Sequence, residues 1–171
     1  MLVVAVGTWR FLQRGTAVLT AKDTLVLADF ANSTGDAVFD GTLRQGSSVQ
    51  LQQSPFLNLV SDQRIRNTLR LMERPADAPL TGEIAREVCE RTGAAAVVEG
   101  SITMLGSQYV LGLRAKNCRS GGVLDEEQTQ AARKEDVLAA LSAMVSRFRG
   151  DRKSTRLNSS HITRSRMPSS A

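Results

Sequence analysis

From residue 23 the chain alternates apolar runs with polar breaks, and the period of the apolar positions changes part-way along. "DTLVLADFA" (23–31) is nearly continuous apolar sequence of strand length, which predicts a central strand buried on both faces. In "FDGTLRQGSSVQLQQS" (39–54), Phe39, Leu43 and Leu51 form a helical stripe. Asp40 is its expected N-cap and Pro55 its stop. Gly46 and Ser47 weaken this helix, and Ser47 falls on the apolar stripe. "FLNLVS" (56–61) predicts a second strand. Ser61 then caps a helix through "DQRIRNTLRLMER", where Ile65, Leu69 and Met72 recur at helical spacing. After the linker "RPADAP", Thr81 opens a third helix with Ile84, Ala85 and Val88 inward, Glu83 in its first turn and Gly93 as its stop.

The period then switches to two. "AAAVVEGSITML" (94–105), "QYVLGLRAKNC" (108–118) and "GVLDEEQTQAA" (122–132) read as a three-stranded meander joined by short glycine turns. Tyr109, Leu111, Leu113 and Ala115 share one face of the middle strand. Arg114 and Lys116 lie on the other, facing acids of the third strand (Asp125, Glu126, Glu127). Cross-strand pairing accounts for these charges better than a catalytic carboxylate pair does. "KEDVLAALSAMVSRFR" (134–149) predicts a last helix with Val137, Leu138, Leu141, Met144, Val145 and Phe148 in one stripe. The order predicts a two-layer α/β domain over residues 20–150, on a mixed, roughly five-stranded sheet with three to four helices.

Composition narrows the function. The chain has 171 residues, is 42% hydrophobic and 23% charged, and suits one globular domain. Its net charge of +5 points to an anionic partner at first sight. The surplus sits entirely in Arg152, Lys153, Arg156, Arg164 and Arg166, and residues 1–151 balance at 17 basic and 17 acidic. The domain therefore carries no basic bias toward nucleic acid, and the tail has no interleaved aromatic for base stacking. His161, the one histidine, is also in the tail, so neither a Ser/His/Asp set nor a Cys/His zinc site fits the domain. Cys89 and Cys118 would pair in an exported domain; two unpaired, half-buried thiols are the favoured expectation.

The ends differ from the middle. Leu2 to Trp9 is apolar and is followed by Arg10 and Arg14, too short to cross a bilayer and with its charge on the wrong side for a signal peptide. It fits either the last turns of a membrane helix or a short amphipathic segment. Residues 151–171 read as a disordered basic tail, and "STRLNSSHITRSRMPSS" resembles translated sequencing-adapter read-through.

The polar segment "LADFANSTGDAVFDG" (27–41) concentrates three aspartates, Asp29, Asp36 and Asp40, after the first strand. "ADF" touches the kinase D-F-G motif without its other elements, and the spacing does not fit a calcium loop. Neither a cofactor, a metal nor a catalytic residue is expected. The segment does close a central strand, where α/β folds bind ligands, so Asn32, Thr34 and Asp36 are the candidate ligand-binding residues. Most such clusters are turn and cap chemistry.

"KDTLVLADFANSTGDAVFDGTLRQ", "QLQQSPFLNLVSDQRIRNTLRLM", "LTGEIAREVCERTGAAAVVEGSI" and "LGSQYVLGLRAKNCRSGGVLDEEQTQA" together resemble the extracytoplasmic domain of bacterial receptor-like serine/threonine kinases. That domain is similar to the TolB amino-terminal domain and to FlgO-like modules. The resemblance covers roughly 20–150, with D-F-x-N-x-T-G-D-x-x-F-D-G-T-L-R (29–44) its most specific stretch. It implies a non-catalytic sensory or interaction domain, anchored in the inner membrane and facing the periplasm. Residues 1–19 become a truncated membrane-helix end and linker, with kinase and tetratricopeptide parts missing. The implied partner is an envelope protein or small ligand. The alternative is a structural envelope-assembly module of the TolB/FlgO type, without a kinase.

Overall fold

A computed structural model describes residues 23–55 and 57–157, with only the helical backbone described from residue 150 onward. The proposed membrane-helix end and the tail beyond residue 157 lie outside the described residues.

Five strands form one mixed sheet in the order β2-β1-β3-β4-β5. β1 (Thr24–Asn32) runs parallel to β2 (Asn58–Leu59) and β3 (Ala96–Leu105). β4 (Gln108–Asn117) and β5 (Val123–Ala131) complete an antiparallel meander. The continuous apolar run makes β1 the predicted two-faced strand, with Leu25, Val26, Leu27 and Ala28 all buried. β2 is only two residues long, shorter than predicted. Leu57 and Val60 flank it in the core, and Val60 N–H still donates to Leu25 O at 2.9 Å.

Helix α1 (Thr42–Gln52) starts two residues after the predicted cap. Asp40 instead ends a 3-10 turn, Ala37–Phe39, and Gly41 is the N-cap at φ 76°. A residue with a Cβ rarely adopts that positive φ, so glycine at position 41 takes the cap and the helix starts one residue further along. Ser61 caps α2 (Asp62–Leu71) as predicted, its Oγ accepting from Arg64 N–H. α3 (Gly82–Thr92) ends at Gly93 in the left-handed conformation at φ 71°. α4 (Val137–Leu157) follows a 3-10 turn at Lys134–Asp136. It continues to Leu157, so the first seven residues of the tail predicted to be disordered have a helical backbone. Gly150 alone is too weak a breaker among Asp, Arg and Lys to end it. No described helix is long and apolar enough to cross a membrane.

The sheet carries helices on both faces, where the sequence predicts two layers. Leu25, Leu27, Val98, Leu111 and Leu113 pack with α1 and α4 in one apolar cluster. Val26, Ala28 and Val97 pack with α2 and α3 in a second. The α/β class and the mixed five-stranded sheet stand; the layering over β1 and β3 is three. The cause is topological. The chain crosses from β1 to one neighbour through α1 and returns past β1 to the other through α2 and α3. Two crossovers of the same hand running in opposite directions place their helices on opposite faces.

Packing details follow. Val137, Leu141, Met144, Val145 and Phe148 of α4 are buried, whereas the sixth predicted member, Leu138, is 51% exposed. The stripe is wider than the strip of sheet it covers. Small residues let α1 and α4 approach closely: a Cβ on Gly46 would come within 3.3 Å of Leu141 Cδ2. This accounts for the helix-weakening Gly46, which faces α4; Ser47 beside it is buried.

Candidate functional site

The predicted residues Asn32, Thr34 and Asp36 do meet, in one turn at the end of β1. Their polar atoms are spent on one another. Asn32 Oδ1 accepts from Thr34 N–H at 3.0 Å and from Thr34 Oγ1–H at 2.7 Å. Asn32 Nδ2 donates to Asp36 O at 2.9 Å and to Asp40 Oδ1 at 2.8 Å. Thr34 Oγ1 accepts from Asp36 N–H, and Asp36 Oδ1 accepts from Val38 N–H. Asn32 thus uses two donors and two acceptor positions, its full side-chain capacity. This is Asx-type turn chemistry closing a strand-to-helix connection.

The remaining oxygen of Asp36 binds Lys134 Nζ, which joins the β1–α1 turn to the start of α4. That hydrogen bond, then the one from Val38 N–H, holds the Asp36 carboxyl below the usual carboxylate value. The same bond raises the Lys134 ammonium above its ordinary value. Lys134 also lies 5.8 Å from the centre of the Phe39 ring, which meets Tyr109 edge-on at 5.5 Å.

A second polar cluster sits nearby, at the carboxyl ends of β1 and β2. A register shift between Leu27 and Phe30 bulges β1 at Ala28–Asp29. The bulge takes Asp29 out of the β3 ladder and re-aims it. Asp29 N–H donates to Leu80 O at 2.9 Å, and Leu80 N–H returns a 2.6 Å bond to Asp29 Oδ2. Arg44 of α1 reaches Asp29 at 3.3 Å and Asp62 of α2 at 3.2 Å. Its Nε also donates to Leu27 O at 3.3 Å. Two shallow pockets share Arg44, Asp62 and Ile65 as lining. Asp29 is one of the three aspartates expected from the sequence, whereas Arg44 and Asp62 are not among the expected residues. The available signal is that Asp29 is the one charge inside an otherwise apolar strand.

On the face of the meander away from α4, Arg114 pairs with Glu126 at 2.5 Å, as the strand alternation predicts. Lys116 pairs with Glu99 of β3 at 2.6 Å and not with a third-strand acid. A register irregularity after Ala115 sets Lys116 opposite Val123, which leaves Glu99 within reach. Glu127 is claimed by Arg147 of α4 at 3.2 Å. Each of these charges is a strand or layer tie. Among the described residues, no group of three His, Cys, Asp or Glu side chains gathers as a metal site.

Cys89 of α3 and Cys118, just past β4, form a disulfide, which corrects the expectation of unpaired thiols. Both are buried, at 0% and 2% exposure, where half-buried thiols are predicted. Their 29-residue separation in sequence hides that Cys118 joins the apolar cluster of α3.

No family model matches the chain, and no curated protein matches it in sequence. Solved structures do. The LpoB C-terminal domain from Salmonella enterica matches with a TM-score of 0.60 at 15% identity, over 73% of this chain and 92% of that one. Lipoprotein GNA1162 from Neisseria meningitidis matches at 0.54 and 12% identity, over 82% and 99%. A PelC dodecamer subunit from Paraburkholderia phytofirmans matches at 0.50 and 12%, over 76% and 87%. At these identities the likeness establishes the fold: the chain shares its five-stranded α/β architecture with these bacterial proteins.

Proposed function

We propose that this domain is a non-catalytic interaction module of the bacterial cell envelope, of the assembly type, with a protein as its partner. The observation that carries the reading is the match to lipoprotein GNA1162 over 99% of that chain, with the LpoB domain matched over 92%. A shared fold does not by itself carry function, so the reading rests on the local chemistry beside it. The polar groups that resemble a site are engaged in holding turns and layers together. A small ligand at Asn32, Thr34 and Asp36 would have to replace bonds those residues already make, so a protein partner is the better fit.

A second reading is favoured by the 29–44 stretch: the extracytoplasmic part of a receptor-like kinase, facing the periplasm and held in the inner membrane by a helix of which residues 1–19 would be the truncated end and linker. It needs a kinase frame upstream and tetratricopeptide repeats downstream in the same gene, and reading the flanking DNA decides it.

The test of the main reading is photocrosslinking from exposed apolar positions. Leu105 and Leu138 are 72% and 51% exposed. With a photoreactive residue at either, the chain expressed in its source cells is expected to give one discrete adduct in the envelope fraction. The purified chain is expected to hydrolyse no ATP. A chain found only in the cytosolic fraction, or ATP turnover by it, overturns the reading.

A further inference from the structure

The Cys89–Cys118 pair goes beyond a packing detail. We propose that it is a permanent structural staple, installed during folding by an external oxidant of the disulfide class, and that it ties the domain to an oxidising compartment. The inference is independent of which partner the domain binds.

The geometry places the bond where it can only be structural. Its Cα atoms are 6.0 Å apart, within the ordinary range for a disulfide. Both sulfurs lie in the second apolar layer, among Val26, Ala85, Val88 and Val97. The backbone fits the same joint from both sides: Cys118 N–H donates to Ala95 O, and Arg86 Nε donates to Cys118 O at 2.9 Å. The chain has two cysteines, so no third thiol is present to resolve or exchange the bond. A redox switch needs an accessible thiolate, and neither sulfur is accessible.

Burial also dictates order. A bulky oxidant cannot reach the sulfurs once α3 has docked, so the bond forms before that layer closes. One cysteine thiolate attacks a sulfur of the oxidant's disulfide, giving a mixed disulfide and releasing one oxidant thiol. The second cysteine attacks the mixed disulfide at the protein sulfur and releases the other. Two protein thiols become one disulfide, and the oxidant's disulfide becomes two thiols with the two protons and two electrons. Cytosolic thiol buffers run this exchange in the other direction before the layer closes, so the bond forms where the surroundings are oxidising. It closes a loop holding all of β3 and β4.

The experiment uses the full chain, reduced and denatured, then refolded with oxidised and reduced glutathione and analysed by mass after alkylation in denaturant. The expected product has no alkylated cysteine and is 2 Da lighter than the reduced chain, in line with two hydrogens lost. Glutathione adducts on both cysteines, or two alkylated thiols, overturn the proposal. A second readout separates staple from switch. Dithiothreitol without denaturant is expected to leave the bond intact for as long as the domain stays folded, and to reduce it once urea is added. Rapid reduction of the folded chain overturns the staple. The double variant Cys89→Ala/Cys118→Ala is expected to lower the folded-to-unfolded ratio by about a few hundred-fold, from the loop released. An unchanged ratio also overturns it.

Discussion

At the scale of single residues, the clearest misfit is Ser47. It is fully buried within α1, and its hydroxyl has no hydrogen-bond partner. A buried, unsatisfied hydroxyl opposes folding, and serine is also a poorer helix former than alanine. Ser47→Ala is therefore expected to stabilise the domain by about 1 kcal/mol, read as a higher urea midpoint at an unchanged slope. Gly100 is the opposite case. A Cβ there would lie 2.4 Å from ring atoms of the buried Phe30. Gly100→Ala is expected to cost about 1–3 kcal/mol as the ring is displaced, and a midpoint equal to wild type would show that Phe30 moves freely. Neither effect is legible in the sequence beyond its outline. Ser47 stands on the predicted apolar stripe, so its burial is foreseeable; the lack of a partner depends on the tertiary surroundings of its hydroxyl. Asn32, Thr34 and Asp36 are foreseeable as a polar turn after a buried strand. Their bonds at i, i+2 follow the Asx-turn rule, whereas the bond from Asn32 to Asp40 depends on how the turn folds back.

At the scale of elements, the question is what ties helices to the sheet. Asp29 does much of this. Through Leu80 it fixes the segment leading into α3, and through Arg44 it fixes α1. Removing its carboxylate leaves the Leu80 N–H without its acceptor. Asp29 is partly exposed, so water recovers some of the loss. Asp29→Ala is expected to cost about 1–2 kcal/mol, and Asp29→Asn, which keeps an oxygen for Leu80, less than that. Equal losses for the two would assign the stabilisation to the charge on Arg44 instead. The Asp36–Lys134 pair ties the β1–α1 turn to α4. Asp36 has a lowered pKa when folded, so its contribution is present above the ordinary carboxylate range and is lost as pH falls through the lowered value. Lys134 has a raised pKa, so its contribution is present below the ordinary lysine range and is lost as pH rises through the raised value. The tie therefore holds across neutral pH. Lys134→Met is expected to move the Asp36 titration, followed by carboxyl NMR, back up toward the ordinary carboxylate value. An unmoved midpoint would assign the shift to Val38 N–H alone. The elements themselves are largely foreseeable, because hydrophobic period and capping residues are local. β2 is foreseeable in place, within 56–61, whereas its length of two residues is not. The helix layers are not foreseeable either, because they depend on β1 lying between β2 and β3.

For the whole molecule, the placement of the core bears on where the folding unit ends. The buried apolar residues of both layers run from Leu25 to Phe148. The staple, the Asp29 joint and the Asp36–Lys134 tie all fall inside the same span. Cooperative unfolding needs a contiguous core whose parts lose their contacts together, and both apolar layers share the strands β1 and β3. Residues outside that span add charge, five of it in the basic run after residue 151, without adding to the described core. The segment 20–150 is therefore expected to unfold in one transition on its own, with its disulfide formed. Its Tm should lie within a few degrees of that of the full chain, since the described core falls wholly inside the segment. Matched thermal scans of the two chains by far-UV and near-UV circular dichroism test this. Coincident transitions place the fold-determining information between residues 20 and 150. A segment that loses its near-UV signal while the full chain keeps it would show that the flanks contribute packing, and the domain boundary drawn from the sequence would then have to move outward.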